Sequence, residues 1–311
     1  MKYEKIAQLF KPNGKFEWMH YYAAPVTSVD FGTFIRVYFT TRNVIDEQGY
    51  FKTHIAYVDC DKNDLTNILA ISENPLLSFG PPGTFDEHGT MVADVIKHND
   101  KYYMYYMGWQ RSDTVPYMNR LGLAISDDGI HFQKVSDGPV IGISRHVPLG
   151  VGNVSVLVEN GIFHMWYTHY CPWIKTAKGY RPNYDIRYAT SENGLDWQFG
   201  NQCIAPANSN EALATPCVRK INGKYCMWYS YRPGTDDLGN SGPYRIGYAE
   251  SDNKIDWIRK DNEMTMGVAE HGWDSEMVCY PDVLEIEIGN LLFYCGNNYG
   301  KEGFGYAKIT L

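Results

Sequence analysis

The chain has 311 residues, 44% of them apolar and 15% aromatic, so it can bury a sizeable core, and its 25 Tyr and 29 Gly suit half-buried strands joined by tight turns. A net charge of -8 without any cluster of Lys and Arg excludes a surface that tracks nucleic-acid phosphates. No apolar run reaches membrane-helix length, and MKYEKIAQLFKPNGKFEW lacks the apolar stretch of a secretory signal, so a cytoplasmic protein with neither nucleic-acid nor membrane partners is expected.

Residues 1–20 read as a lead-in that supplies the outermost strand of the last repeat, whose own sequence stops at GFGYAKITL without a fourth strand. Beyond it an aromatic-rich strand returns five times: FIRVYFTT (Tyr38), KYYMYYMG (Tyr106), IFHMWYTH (Tyr167), KYCMWYSY (Tyr229) and LLFYCGNN (Tyr294). Thirteen residues before these anchors lie Pro25, Ala93, Val154, Pro216 and Pro281, each in an apolar run; 13 to 22 residues after them lie Ala56, Ala124, Ala189, Ala249 and Ala307. Each repeat therefore holds at least three strands. In three copies a polar turn adds a fourth: Ser126-DDGIH-Phe132, Ser191-ENGLD-Trp197 and Ser251-DNKID-Trp257. This self-similarity predicts an all-β, five-bladed β-propeller in a single domain. The expected blades run 21–72, 73–142, 143–205, 206–265 and 266–311. Pairing strands from both termini removes an exposed sheet edge.

Seven cysteines, at positions 60, 171, 203, 217, 226, 279 and 295, include no CxxC pair and sit mostly in strand-like runs, so buried thiols are expected over disulfides or zinc ligands. The long Pro- and Gly-bearing connections LLSFGPPGTFDEHG, WQRSDTVPYMNR, CPWIKTAKGYRPNYD and RPGTDDLGNSGPYR are where function concentrates on a compact scaffold.

In a propeller the start of each innermost strand and the end of the second share one mouth of the channel. Before the inner strands stand His20, Asp86-Glu87-His88, Arg145-His146, Glu211 and Asp274-Ser275-Glu276; after the second strands stand Arg42, Trp109 with Arg111, His169, Arg232 and Asn297-Asn298. Acidic residues recur at one level of this ring, and Phe85-Asp86-Glu87-His88 shares a frame with Trp273-Asp274-Ser275-Glu276. Glycosidic cleavage needs one protonated and one ionised carboxyl on opposite sides of a sugar, and carboxylates from separate blades meet that requirement. Glu211, Glu276, Glu87 and Asp86 are the candidate catalytic groups. Trp109, Tyr280 and Trp173 offer faces for sugar rings, and the arginines offer ligands for hydroxyls or an anionic substituent. The competing structural reading makes Asp86 and Asp274 turn caps, the glutamates solvated loop residues and His20, His88, His146 and His169 rim or framework groups. The histidines show no metal-ligand spacing, no ligand set for a channel-bound divalent cation is legible, and no cofactor is expected.

FGPPGTFDEHGTMVADVIKHNDKYYMYYMGW, NEALATPCVRKINGKYCMWYSYR and GWDSEMVCYPDVLEIEIGNLLFYCGNNYGKEGFGYA resemble the glycosidase-like five-bladed propellers of the arabinanase, β-xylosidase and invertase superfamily, in a branch found beside bacterial surface-polysaccharide genes. The resemblance covers nearly the whole chain. It implies an Asp base beside the first-blade proline, an Asp modulator in the third blade and a Glu acid in the fourth. Here the residues directly before the inner-strand anchors are Ala24, Val92, Asn153, Thr215 and Tyr280, so that triad does not carry over; Glu211 lies five residues before Pro216 instead of two. The first reading is a glycoside hydrolase on a bacterial saccharide, with carbohydrate as its partner. The alternatives are a mannoside-phosphorylase-like or glycosyl-transferring propeller, with Arg42, Arg111, Arg145 and Arg232 as its cationic pocket, and a carbohydrate-binding propeller without catalysis. The Ser-x-Asp-Gly-x-x-aromatic turns are one residue short of the sialidase turn motif, and sialidases use six repeats. The sugar and the oligomeric state are not legible.

Overall fold

A computed structural model describes residues 1–47, 49–234, 241–287 and 289–310. Strand β1 (Lys2–Phe10) opens the chain, and four blades follow in sequence. Blade one holds β2 (Val26–Asp30), β3 (Phe34–Arg42), β4 (Thr53–Asp61) and β5 (Ile68–Ile71); blade two holds β6 (Thr90–His98), β7 (Lys101–Arg111), β8 (Tyr117–Ser126) and β9 (Gln133–Lys134). Blade three holds β10 (Val151–Glu159), β11 (Ile162–Thr176), β12 (Gly179–Ser191) and β13 (Gln198–Ile204); blade four holds β14 (Ala212–Ile221), β15 (Lys224–Arg232), β16 (Arg245–Ser251) and β17 (Ile258–Arg259). Blade five holds β18 (Cys279–Ile286), β19 (Gly289–Cys295) and β20 (Phe304–Thr310), with β1 as its outer strand, paired antiparallel from Lys2↔Thr310 to Phe10↔Phe304. Each inner strand packs beside the next, and β18 returns to β2, so the ring closes as a five-bladed propeller.

The anchors Tyr38, Tyr106, Tyr167, Tyr229 and Tyr294 are all buried between blades. The repeated Ser turns explain how blades hold one another. The hydroxyls of Ser126, Ser191 and Ser251 accept N–H groups two and three residues on, and Asp128, Asn193 and Asn253 accept the next two. This geometry puts residues 129, 194 and 254 in the left-handed region and turns their carbonyls toward the preceding blade. There Tyr38 and Tyr105 donate their hydroxyls to Gly129 and Gly194, and Trp166 donates its indole N–H to Lys254. At Gly194 a Cβ would lie 2.8 Å from the Tyr105 hydroxyl, so only glycine keeps the latch undistorted.

A second circuit runs around the axis. Asp94 accepts the Val156 N–H (2.7 Å), Ser155 the Val218 N–H (2.9 Å), Cys217 the Val283 N–H (3.1 Å) and Asp282 the Ser28 N–H (2.8 Å), while Thr27 donates to Asp94 (3.2 Å). All five blades are joined. Bulges in β6, β10, β14 and β18 carry the strands from this belt to the funnel above it, and Thr215 and Tyr280 take positive φ at two of them. Burial pushes the Asp94 carboxyl up to about 6 and raises Asp282, which Arg219 counters at 2.9 Å.

Candidate functional site

The mouth above the belt is a funnel of phenols. Met91, Met107, Asn119, Asn153, Thr168, Tyr170 and Thr215 form its floor, with Tyr117, Tyr184, Tyr244 and Tyr280 standing around a cavity of about 110 Å³. Tyr117 and Tyr184 share a hydrogen bond of 3.1 Å between their hydroxyls, and the Asn119 amide donates to the Tyr170 hydroxyl at 3.0 Å. Burial raises the phenol pKa values of Tyr117, Tyr170, Tyr184 and Tyr280, and pushes Tyr244 up to about 12, so every one of these groups is a neutral hydroxyl.

Two guanidinium groups face these phenols. Arg232 ends β15 and is 6% exposed; among the described residues it donates one bond to the Pro182 carbonyl at 2.8 Å and leaves its Nε without a partner. Its guanidinium lies 5.5 Å from the Tyr244 ring centre. Arg42 ends β3 and packs its guanidinium over the rings of Tyr22 (3.9 Å), Phe51 (4.3 Å) and Trp109 (5.9 Å); burial lowers its pKa, with Tyr280 and Tyr117 among its electrostatic neighbours. Among the described residues neither arginine has a carboxylate in salt-bridge range, and no carboxylate lines the funnel cavity. A desolvated cation without a counter-ion is costly, and an anion in the funnel would offset that cost.

The funnel wall continues outward. Trp109 packs edge-on against Tyr117 (5.3 Å) and Phe51 (5.1 Å), and Trp173 does so against Tyr117 (5.6 Å) and Tyr170 (6.0 Å). Beyond Trp109 a cleft of about 390 Å³ opens between blades one and two, lined by Tyr50, Phe51, His88, Trp109, Arg111 and Asp113. Arg111 stacks on Tyr50 at 3.8 Å. Glu87 stands behind His88, held below the usual carboxylate range by the Gly83 N–H and the Gln110 amide. Burial and then Arg111 lower the His88 pKa, which keeps its imidazole neutral near pH 7. Flat apolar faces beside fixed polar donors are what sugar rings require.

The structure thus brings Arg42, Arg232 and Tyr280 together at the funnel, and Glu87, His88, Trp109 and Arg111 at the cleft. Trp173 stands on the funnel wall, and the remaining residues singled out from the sequence have other partners. Asp86 is buried in a clamp with the Tyr106 hydroxyl (3.2 Å) and the Lys134 ammonium (2.5 Å), and Asp274 repeats that clamp with Tyr294 (2.9 Å) and Lys5 (2.6 Å). Glu211 is buried against Arg259 at 2.6 and 3.2 Å and accepts the Ala207 N–H, while Arg259 also grips Asp261, the acceptor of the Tyr229 hydroxyl. In all three blades the cation comes from the outermost strand, so these carboxylates tie the layers of a blade together. Glu276 is exposed; its backbone N–H is held by Asn297, whose side chain also clasps Met277 and Gly272. Arg145 and His146 are exposed and bonded to each other, with His146 stacked on Phe199. His20 packs on Tyr21 at 4.3 Å, and His169 is buried beside Asp185 and Cys171.

Tyr117, Asn119, Tyr170, Tyr184 and Tyr244 were not among the sequence candidates. A signal for three of them exists: the residue five before the third-strand alanine is Phe51, Asn119, Tyr184 or Tyr244 in the first four blades, whereas Tyr117 and Tyr170 lie outside that register. That register places it at the mouth.

Fold and site define a five-bladed propeller with an aromatic, cationic funnel. No protein-family model matches the chain. Its sequence is 30% identical over 312 residues to the uncharacterized proteins Rv1502 and MT1551 of two Mycobacterium tuberculosis strains, covering 99% of each chain, and it belongs to their family. It is also similar to the 1,2-beta-oligomannan phosphorylase of Thermoanaerobacter sp. (strain X514), at 28% identity over 57% of this chain and 59% of that one. Among solved structures, a glycoside hydrolase (TM-score 0.74, 14% identity, 99% of this chain and 92% of that one) and the beta-1,2-mannobiose phosphorylase of Listeria innocua bound to beta-1,2-mannobiose (TM-score 0.69, 13% identity, 99% and 96%) share the fold.

Proposed function

We propose that this propeller transfers a glycosyl group to or from phosphate, working on a mannoside-type bacterial saccharide in its funnel and adjoining cleft. One observation carries the reading: two guanidinium groups stand beside the funnel's phenols, Arg42 near Tyr280 and Tyr117 and Arg232 near Tyr244 and Tyr184, and among the described residues no carboxylate lines the cavity. In phosphorolysis a phosphate oxygen bonds to the anomeric carbon, the glycosidic carbon–oxygen bond breaks, and the leaving oxygen takes a proton. Arg42 and Arg232 bind and orient the phosphate, where paired guanidinium donors suit its geometry and charge. Phe51, Trp109 and Tyr117 carry the sugar rings. The leaving oxygen takes the proton of the attacking hydrogen phosphate, relayed by the neutral hydroxyls of Tyr117 and Tyr184, each accepting one proton as it gives one. Similarity to the 1,2-beta-oligomannan phosphorylase and the beta-1,2-mannobiose phosphorylase of Thermoanaerobacter supports the same reaction class.

Hydrolysis is the second reading, favoured by one feature: Glu87 is held ionised beside a sugar-sized aromatic cleft, as a base that activates water must be. Seven cysteines without a disulfide fit a cytoplasmic enzyme, where phosphate is plentiful and thiols stay reduced. The test is a panel of β-linked manno-oligosaccharides and aryl mannosides assayed with and without inorganic phosphate. Phosphate-dependent formation of a glycosyl phosphate supports the reading. Phosphate-independent release of free sugar, abolished in Glu87→Gln, replaces it with hydrolysis.

A further inference from the structure

The hairpin of β11 and β12 holds a group of side chains that neither reading uses. His169 and Cys171 are two residues apart on β11 and share a face; Asp185 is the direct cross-strand partner of His169 on β12. One ligand atom from each, an imidazole nitrogen, the thiol sulfur and a carboxylate oxygen, all fall within 4.8 Å of one another. His169 is 5% exposed, yet among the described residues neither ring nitrogen makes a hydrogen bond; Nδ1 lies 3.1 Å from Asp185 Oδ1, within ion-pair range but without the alignment of a hydrogen bond. A buried framework histidine ordinarily fixes its tautomer by donating one N–H and accepting at the other nitrogen. Here one nitrogen faces the Asp185 carboxylate without an aligned hydrogen bond, and the Cys171 sulfur lies within 4.8 Å of the ligand atoms of both residues.

We propose that His169, Cys171 and Asp185 form a binding site for one zinc-class divalent cation, with the fourth position left to water or another small ligand. The donor set of one nitrogen, one sulfur and one oxygen suits a borderline-soft ion, whereas calcium and magnesium take oxygen ligands. Zinc bonds of about 2.0 to 2.3 Å place tetrahedral ligands roughly 3.5 Å apart, so the His169–Asp185 pair at 3.1 Å opens slightly on binding and any pair near the 4.8 Å limit closes by about an ångström. Arg187 serves as the outer partner of Asp185, contacting its two oxygens at 3.1 and 3.2 Å from Nε and at 3.1 Å from Nη2, which keeps the carboxylate ionised and fixes its direction. Its positive charge faces the site, and the Cys171 thiolate and the Asp185 carboxylate together balance the cation. Burial, then Asp185, push the Cys171 thiol up to about 11, so the metal-free protein carries a thiol and binding releases its proton to solvent. Cys171 is partly exposed, which provides a way in. His169 sits between Thr168 and Tyr170, two funnel residues, so a bound cation fixes the strand that carries the funnel wall.

The experiment is metal titration of the purified full chain, stripped with a chelator under reducing conditions, using zinc and then cobalt as the probe. The expected result is about one zinc bound per chain and a cobalt complex with a thiolate-to-metal charge-transfer band. Cys171→Ser removes that band and weakens zinc binding at least about tenfold, His169→Gln weakens it similarly, and His131→Ala, an exposed histidine elsewhere, changes neither. Near-ultraviolet circular dichroism of each variant without metal separates loss of a ligand from loss of the fold. Substoichiometric binding by the wild type, or one-to-one binding that survives Cys171→Ser and His169→Gln, overturns the proposal.

Discussion

Replacing Arg232 with methionine separates a cation kept for a ligand from one kept for the fold. Among the described residues its guanidinium has one hydrogen bond, to the Pro182 carbonyl, and a ring contact with Tyr244. These contribute about 1.5–3 kcal/mol for a charged hydrogen bond and about 1–2 kcal/mol for the cation–π contact. Against them stands the desolvation of an almost fully buried charge, an effective cost of several kcal/mol. The balance makes Arg232→Met neutral to stabilising in the absence of anion, by roughly 0–3 kcal/mol, or a melting temperature up to about 6 °C higher at roughly 2 °C per kcal/mol. Phosphate behaves oppositely. At a hundred times its dissociation constant it stabilises the wild type by about 2.7 kcal/mol, and losing one buried charged contact removes about 2–5 kcal/mol of binding, enough to erase the response. Thermal unfolding in phosphate and in chloride at matched ionic strength reads both effects and corrects for screening. A wild type indifferent to phosphate, or an Arg232→Met protein that melts well below it while still responding to phosphate, refutes the reasoning.

Breaking the blade-four clamp with Glu211→Gln leaves Arg259 facing a weaker acceptor; denaturant unfolding should show a loss of about 1–3 kcal/mol, where a purely catalytic Glu211 would leave stability unchanged. Gly194→Ala puts a Cβ 2.8 Å from the Tyr105 hydroxyl at a positive φ, so it should cost about 2–3 kcal/mol, whereas Gly161→Ala, at a similar φ but with open space around it, should cost about 1 kcal/mol. Burial and then Lys52 push the His54 pKa down to about 4, so between pH 6.5 and 4 the unfolded chain takes up a proton that the native state refuses. Its contribution is therefore present above pH 6.5 and lost as pH falls through that window, by about 1–2 kcal/mol after solvent screening, and His54→Phe should flatten that acid limb in urea unfolding at stepped pH. Asp94 has the opposite slope. Its raised pKa of about 6 means stability is lost as pH rises from about 4 to 6, and Asp94→Asn should remove that dependence in the same measurement.

The architecture was legible because one tyrosine, with an apolar run before it and an alanine after it, recurs five times at positions that a second strand must bury. The Ser-x-Asp/Asn turns were legible as turns, but not as latches, because their carbonyls meet Tyr38, Tyr105 and Trp166 of the preceding repeat. Chain position also placed the residues of the mouth, yet it could not decide which way a carboxylate points. Asp86 and Asp274 follow an aromatic residue at matching positions, and what engages each is a lysine on an outermost strand, 48 and 269 residues away in sequence. Arg42 and Arg232 were visible as cations, whereas their want of a carboxylate partner among the described residues is a property of three blades at once. The tyrosines of the third strands went unnoticed because long loops of different lengths precede them, which hides a register that is plain when counted from the alanine.

The pairing of β1 with β20 has a temporal side. During synthesis at about 5–20 residues per second, the first strand waits roughly 15–60 s before its partner leaves the ribosome. Throughout that interval a nine-residue strand carries unpaired backbone donors and acceptors along both edges, beside blades that are folding or complete. Its composition suits the wait: in KYEKIAQLF, Lys2, Glu4 and Lys5 interrupt the apolar positions, which discourages neighbouring nascent chains on a polysome from pairing through it. The seven-residue strand β20 then acts as the fastener, and a chain arrested before it would leave the ring open at a single seam.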